Sequence, residues 1–136
     1  MIEEFIAWFK DRFEGDISHL REFFVVSGEK RIRMVSPESK EINGIIKGVY
    51  IAKKVPFGFS LSIEGSQVLG KYAKRNVISL DKGMALIWMK GEDIPLEGHV
   101  LERGTVIVRY KWVFMGSGYF DGKKVRNYVP GERRLE

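Results

Sequence analysis

The chain contains no cysteine, which removes several classes of chemistry at once. Without thiols it can form no disulfide, no thiolate metal site and no intermediate that depends on a cysteine nucleophile. Histidine is scarce as well, since His19 and His99 are far apart and lack the spacing of paired zinc ligands. We therefore expect no metal ion and no cofactor, with both histidines at the surface or at a helix end.

Long apolar runs are also missing from the 136 residues, and none approaches the ~18–20 residues that a membrane span needs. Charged residues such as Glu3, Glu4 and Lys10 interrupt the N-terminus, unlike a secretory signal. We expect no membrane contact, a cytoplasmic location, and one domain over 1–136 with an N-terminal helical segment at about 1–22. The single glutamine, the three asparagines and the 30% of charged residues resemble thermophilic proteins.

Charge is distributed unevenly along the chain. Residues 1–22 carry six acidic and three basic side chains, a net charge of −3, so the rest carries +8 against an overall +5. A basic body behind a small acidic segment is typical of proteins that bind polyanions. A solvated lysine-rich surface is the alternative interpretation of the same numbers.

The periodicity of apolar residues predicts a small α+β fold. Apolar residues at helical spacing predict a first helix that ends near Gly15 and a weak helical pattern over 63–72, which Gly65 and Gly70 interrupt. A further helix is expected to start at a cap formed by Ser79 or Asp81. Short strands are predicted at 23–26, 31–35, 45–46, 49–52 and 77–80, with a loop over 56–59 and a polar connection over 92–103. Together these elements predict a mixed, mostly antiparallel β pseudo-barrel with flanking helices.

The last third of the chain combines a hairpin signal with cations and glycines. Two strand-like segments flank Asp121-Gly122, a pair that tolerates positive φ. This combination of residues is typical of a site that binds a phosphate backbone, because guanidinium groups bind phosphates in a bidentate manner and glycines permit close approach of a backbone. The candidate RNA-binding residues are Lys123, Lys124, Arg126, Asn127, Arg133, Arg134, Gly116 and Gly118.

Each of these features has a structural alternative. Glycines inside a strand often mark a bulge or a bend of a barrel, and the neighbouring aromatic residues are more often core than base-stacking platforms. Arg133 could pair with Glu92 or Asp93 and fasten the chain end to a helix. The same Glu92-Asp93 pair would support a weaker hypothesis of a small acid–base enzyme. No phosphate-binding glycine motif of the nucleotide-binding type is present.

Residues 82–134 resemble the C-terminal PUA-like RNA-binding domain of Sun/Fmu-type ribosomal-RNA cytosine-5 methyltransferases. In that family a helix ending in a basic residue, glycine and glutamate precedes a strand, a Gly-x-Gly hairpin and a basic-Asn-x-x-Pro-x-x-x-Arg signature. The matching positions are Lys90-Gly91-Glu92, Val106-Ile107-Val108, Gly116-Ser117-Gly118, Asp121-Gly122, Arg126-Asn127-Tyr128-Val129-Pro130 and Arg133-Arg134. The similarity covers about 40% of the chain.

The resemblance implies a pseudo-barrel that binds structured RNA, ribosomal or transfer RNA, and that assists RNA modification or ribosome biogenesis as a stand-alone module. The family's catalytic cysteines and cofactor loop have no counterpart here, so we expect no enzymatic activity. An RNA-modification enzyme or a ribosome-assembly factor would be a protein partner. The alternative is a protein-interaction module in ribosome assembly without RNA contact, whose aromatic first helix docks a partner.

Overall fold

A computed structural model describes residues 1–35, 48–96 and 102–135 of the chain. Within these ranges the α-helices are Ile2–Phe13 (α1), Ile63–Leu69 (α2) and Lys82–Met89 (α3). Short 3-10 helices span Ser18–Phe23, Gly70–Tyr72 and Gly131–Arg133. The strands are Phe24–Ser27 (β1), Arg31–Met34 (β2), Val49–Val55 (β3), Gly58–Leu61 (β4), Val77–Leu80 (β5), Ile94–Pro95 (β6), Gly104–Tyr110 (β7), Val113–Phe120 (β8) and Lys124–Asn127 (β9).

The strands form two sheets. The first has the order β1-β2-β3-β4 and is antiparallel throughout, and the second has the order β5-β7-β8-β9-β6. In the second sheet β5 runs parallel to β7, and the other described pairs are antiparallel. The predicted α+β class and the mostly antiparallel pseudo-barrel with flanking helices are confirmed.

The helices begin and end where local chemistry requires. Phe5, Phe9 and Phe13 fall on one face of α1 and are fully buried, so this helix packs into the core. The helix ends at Glu14, which adopts a left-handed conformation with φ 55°. Asp81 caps α3 by accepting a 2.8 Å hydrogen bond from the Met84 amide, which confirms one of the two predicted caps.

Each sheet has its own hydrophobic core. The first core joins α1 to the first sheet and includes Phe59, and it also takes in Ile107 from β7. The second core lies between α3 and the second sheet, around the fully buried Trp88. The indole Nε1 of Trp88 donates to the carbonyl oxygen of Met115 at 3.1 Å, so its one polar group is satisfied.

Buried polar side chains connect the two sheets. The Ser117 hydroxyl accepts from the Leu61 amide at 2.8 Å and donates to the Leu61 carbonyl at 2.9 Å, as a neighbouring strand would. The Thr105 hydroxyl donates to the carbonyl of Phe59 at 2.6 Å. Nε of the buried Arg12 donates to the Thr105 carbonyl at 2.7 Å, and burial lowers the pKa of that guanidinium. These bonds fix the first sheet against the second.

Three parts of the strand pattern differ from the sequence prediction. The predicted loop at 56–59 is a tight hairpin in which Val55 pairs with Gly58, and the Trp8 ring occupies the place of a Gly58 side chain. The polar connection predicted over 92–103 contains the short strand β6, which pairs with β9. The single strand predicted before Asp121 is instead the hairpin of β7 and β8, which turns at Lys111, where φ is 53°. The strand predicted at 45–46 lies outside the described residues.

Candidate nucleic-acid interface

The C-terminal hairpin is ordered by Asp121. Its Oδ1 accepts hydrogen bonds of 3.0 Å from the amides of Lys123 and Lys124, which is the geometry of a turn closed by an aspartate. These two amide donors, together with Arg126, lower the pKa of Asp121 to about 2. The hairpin predicted around Asp121-Gly122 is confirmed, with β8 and β9 as its strands.

Most of the predicted phosphate-binding cations already have a carboxylate partner. Lys124 Nζ lies 3.1 Å from Asp93, and Arg126 Nε lies 3.1 Å from Asp121. Arg133 pairs with a third carboxylate, Glu64, at 2.9 Å. Lys123 is exposed and forms no ion pair within the part of the chain that the structure describes. All four side chains remain at the surface, where phosphate oxygens can compete with these partners.

The side chains of Asn127 and Arg134 form hydrogen bonds with backbone groups of the protein. The Asn127 side chain donates to the carbonyls of Trp88 and Glu92, at 2.7 and 3.1 Å, and accepts from the Val129 amide. It therefore fastens the end of α3 to the last strand. Arg134 Nε donates to the Val129 carbonyl at 2.9 Å, and its side chain lies against Gly91, where a Cβ would come within 2.3 Å of that nitrogen.

The two glycines that were expected to face RNA are buried. Gly116 has φ +105° and donates its amide to the Ser66 hydroxyl at 2.8 Å. A Cβ on Gly118 would lie 2.5 Å from the carbonyl oxygen of Arg126 and 2.7 Å from the Trp88 ring. Protein atoms therefore occupy the place beside Gly118 that the sequence had suggested for an RNA backbone. Gly116 differs, because a Cβ there would meet only Ile63, at 3.5 Å, and this glycine lines the groove between the first sheet and the C-terminal segment.

A groove of about 660 Å³ opens between the first sheet and the C-terminal segment. We call it the aromatic groove. Its walls carry three aromatic rings and three cations among polar and apolar groups, namely Tyr50, Phe57, Tyr128, Arg31, Lys53 and Arg133. Among the residues that line the groove, Arg133 and Gly116 were predicted site residues. The other side chains come from β2, β3, the β3–β4 turn and the segment after β9, which lie far apart in the sequence.

Two of the three rings of the aromatic groove make defined contacts with neighbouring side chains. Phe57 stacks on Tyr119 with ring centroids 4.4 Å apart and planes 9° apart. The Arg31 guanidinium carbon lies 4.7 Å from the centre of the Tyr50 ring, a cation–π contact. Burial raises the pKa of the Tyr50 phenol, so the ring carries a neutral hydroxyl at physiological pH. Tyr128 is 47% exposed and offers the most accessible ring of the three.

Arg126 belongs to the same region through cross-strand pairing. It lies directly opposite Tyr119 in the β8–β9 ladder, and directly opposed residues project from the same face of a sheet. Tyr119 in turn stacks on Phe57, which lines the aromatic groove, so Arg126 shares a sheet face with a residue that contacts the groove wall. Arg133 lines the groove itself, whereas Arg134 lies near α3.

The acid–base hypothesis receives no geometric support. Asp93 accepts the Asn127 amide at 2.9 Å and pairs with Lys124, and these contacts lower its pKa, whereas a general acid at neutral pH needs a raised one. His19 lies at the surface, where its Nε2 is 3.1 Å from the Tyr72 hydroxyl, as expected. His99 lies outside the described residues.

Metal-ligating clusters and membrane-spanning helices are both absent from the described ranges. No group of three or more potential metal-ligating side chains occurs within residues 1–35, 48–96 and 102–135. Nor does any helix in those ranges combine the length and apolar character of a membrane span.

Two curled sheets with flanking helices define a pseudo-barrel of the PUA type. Residues 75–135 match the family model of the methyltransferase RsmF PUA domain, so this part of the chain is similar to that domain. The resemblance inferred from the sequence is thereby confirmed. The matched segment begins just before β5 and contains the whole second sheet, α3 and the C-terminal segment.

Bacterial relatives match over a larger share of the chain than the family model does. Over 85 residues it is 32% identical to the ribosomal RNA small subunit methyltransferase F of Aeromonas salmonicida (strain A449), covering 62% of this chain and 18% of that protein. The protein of the same name from Shewanella woodyi is 31% identical, with 17% of its length covered. The chain thus spans less than a fifth of these relatives, and the match concerns the PUA domain, not the catalytic domain.

Proposed function

We propose that this chain binds structured RNA, ribosomal or transfer RNA, through the aromatic groove and the cations around it. The observation that carries the proposal is the groove itself, in which three aromatic rings and three cations line about 660 Å³ on a domain of PUA type. Stacking on aromatic rings and contact with arginine are the usual means of holding an unpaired RNA base. The relatives are named as ribosomal RNA methyltransferases, which supports RNA as the ligand.

In this proposal an unpaired nucleotide inserts between Tyr128 and the wall formed by Tyr50. Base stacking on an aromatic side chain contributes about 1–3 kcal/mol per base. Arg133, Arg126 and Lys123 then approach the flanking phosphates, where charge-assisted bonds add affinity. Gly118 is left out of the proposed contacts because the Arg126 carbonyl and the Trp88 ring cover it, whereas Gly116 lines the floor of the groove.

We further propose that the chain carries out no methyl transfer by itself and acts in the cytoplasm as an RNA-binding module for RNA modification or ribosome biogenesis. Its sequence has no cysteine to form the covalent base adduct that the resemblance implies for the family's chemistry. An RNA-modification enzyme or an assembly factor would supply the chemistry. Incubation with a methyl donor and RNA should leave the RNA unmethylated.

The test is a fluorescence titration of a labelled ribosomal-RNA hairpin with three proteins: the wild type, Tyr128→Leu and Trp112→Leu. Trp112 is 81% exposed at the β7–β8 turn and does not line the groove, so it is a matched control for loss of an exposed aromatic ring. Tyr128→Leu should weaken binding by about 1–3 kcal/mol with an unchanged melting temperature. Trp112→Leu should bind as the wild type does.

Equal affinities of all three proteins would contradict the placement of the RNA in the aromatic groove. No binding of the hairpin by the wild type, at low salt, would contradict RNA binding itself. In that case the protein-interaction module, the alternative function, would be favoured, although not through α1, because its aromatic face is buried in the core.

A further inference from the structure

A second groove of about 450 Å³ lies at the opposite end of α2 from the aromatic groove. We call it the basic groove. Its cationic side chains are Lys71, Lys74, Arg75 and Arg109, and its lining contains no acidic side chain. The aromatic groove, by contrast, contains Glu64 and Glu132. The basic groove is therefore the more electropositive of the two surfaces.

Three of these four cations form no ion pair with any carboxylate among residues 1–35, 48–96 and 102–135. They are Lys71, Lys74 and Arg109, all exposed. Arg75 differs, because its guanidinium lies 3.2 Å from Glu14. Cations that lie close together without carboxylate partners repel one another. A polyanion that enters the groove therefore reduces this repulsion in addition to being attracted by the cations.

The backbone that carries these cations is fixed in advance. The Lys74 amide donates to the Phe13 carbonyl at 2.8 Å, and the side chain of the buried Asn76, at φ 60°, donates to the Arg12 carbonyl at 2.7 Å. Arg109 Nε donates to the Ser79 hydroxyl on the neighbouring strand at 2.9 Å, which leaves the two terminal nitrogens of the guanidinium for a ligand. Such pre-organisation lowers the entropy cost of binding.

We propose that the basic groove binds the phosphodiester backbone of the same RNA whose unpaired nucleotide enters the aromatic groove. The inference rests on the proposed RNA binding and adds to it a second subsite of different chemistry, one that holds phosphates without reading bases. The two grooves meet opposite ends of α2, whose seven residues span about 10 Å. Successive phosphates of one strand, or the two strands of a hairpin stem, cover such a distance.

Nothing in the composition of the basic groove selects a base. Its aromatic ring, Phe114, is half-buried and lies against Gly70, where a Cβ would come within 2.5 Å of the ring. The exposed groups are two lysine ammonium groups and two guanidinium groups, which position a nucleic acid without reading its sequence. Contacts of this kind are measured by the salt dependence of binding, because each neutralised phosphate releases counterions.

The test compares Lys71→Gln/Lys74→Gln with the control Lys10→Gln/Lys82→Gln. Both doubles remove two exposed lysines that form no described ion pair, so the change in net charge is the same. Binding of a ribosomal-RNA hairpin is titrated at several salt concentrations. The groove double should flatten the slope of log K against log salt by about 0.7 to 0.9 for each phosphate that is no longer neutralised, with the control close to wild type. Unfolding is measured alongside, and Arg109→Lys, which keeps the charge, should retain most of the slope.

The outcomes separate this inference from the proposed function. Equal slopes for the wild type and the groove double would overturn the basic groove as a phosphate site while leaving RNA binding intact. An equal reduction of the slope in both doubles would overturn it too, because the effect would then follow net charge alone. Absence of any RNA binding by the wild type would overturn the proposed function, and the inference with it. A selective flattening of the slope in the groove double, with unchanged stability and the aromatic groove intact, supports the inference.

Discussion

The guanidinium of Arg133 forms a forked ion pair with the carboxylate of Glu64, with nitrogen–oxygen distances of 2.9 and 3.2 Å. This contact joins the C-terminal 3-10 helix to the first turn of α2 on one wall of the aromatic groove. The pairing of Arg133 with Glu92 or Asp93, considered from the sequence, is wrong. Glu64 therefore competes with any phosphate that approaches Arg133.

Removing this competition should strengthen RNA binding. In Glu64→Gln the Arg133 charge becomes available to phosphate, so affinity should rise and the salt slope should steepen by about 0.7 to 0.9. Stability should fall by no more than about 1 kcal/mol, because both side chains are well exposed. Glu132→Gln is the control, since Glu132 lines the same groove and forms no described ion pair. Equal gains in both variants would show a general charge effect and contradict the specific role of the pair.

Asp121 should make the stability of the hairpin depend on pH. Its pKa in the folded protein is about 2, below the ordinary value of 3.8, so the carboxylate stabilises the fold above pH ~4. That contribution declines as the pH falls toward about 2. Urea unfolding should therefore show a larger deficit for Asp121→Ala at pH 7 than at pH 3. Asp121→Asn keeps an acceptor oxygen and should lose less, and a deficit independent of pH in Asp121→Ala would contradict the account.

Gly118 should be needed for packing. The Gly118→Ala methyl would meet the Arg126 carbonyl and the Trp88 ring, and such overpacking costs about 1–3 kcal/mol. Gly131→Ala is the matched control, since nothing lies within 4 Å of its added methyl. Chemical denaturation measures the free energy of unfolding of both variants. Unchanged stability of Gly118→Ala together with weakened RNA binding would restore the interpretation of this glycine as an RNA contact.

The first helix should be structural. Phe9 is fully buried, and its replacement by alanine should cost about 3–5 kcal/mol. Lys10→Ala, at an exposed neighbouring position, should stay within about 0.5 kcal/mol of wild type. Thermal or urea unfolding compares the two. A stable Phe9→Ala protein with weaker RNA binding would place this helix at the RNA interface instead.

Features set by local sequence were predictable, and features set by distant partners were not. The stripe of Phe5, Phe9 and Phe13 predicted α1, and Asp121-Gly122 predicted the last hairpin, because each signal lies within a few residues. The two-residue strand β6 exists through its pairing with β9, and Pro95 argues against a strand when the sequence is read alone.

The residues of the candidate site were likewise predictable only where the signal was local. Arg133 was identified from its local basic cluster, but its partner Glu64 is 69 positions away. Tyr50 and Phe57 reach the aromatic groove only because the first sheet folds against the C-terminal segment. An alternation of cations and aromatics along β3 and its turn is the one local signal that could have indicated them.

RNA binding by the intact chain is tested most directly by the salt dependence of its affinity for a ribosomal-RNA hairpin. Residues 23–136 carry a net charge of +8, and both proposed grooves contain cations. We expect measurable binding at low salt and a log K that falls linearly with log salt, by about 0.7 to 0.9 per phosphate neutralised. Absence of binding at low salt, or an affinity that does not change with salt, would contradict it.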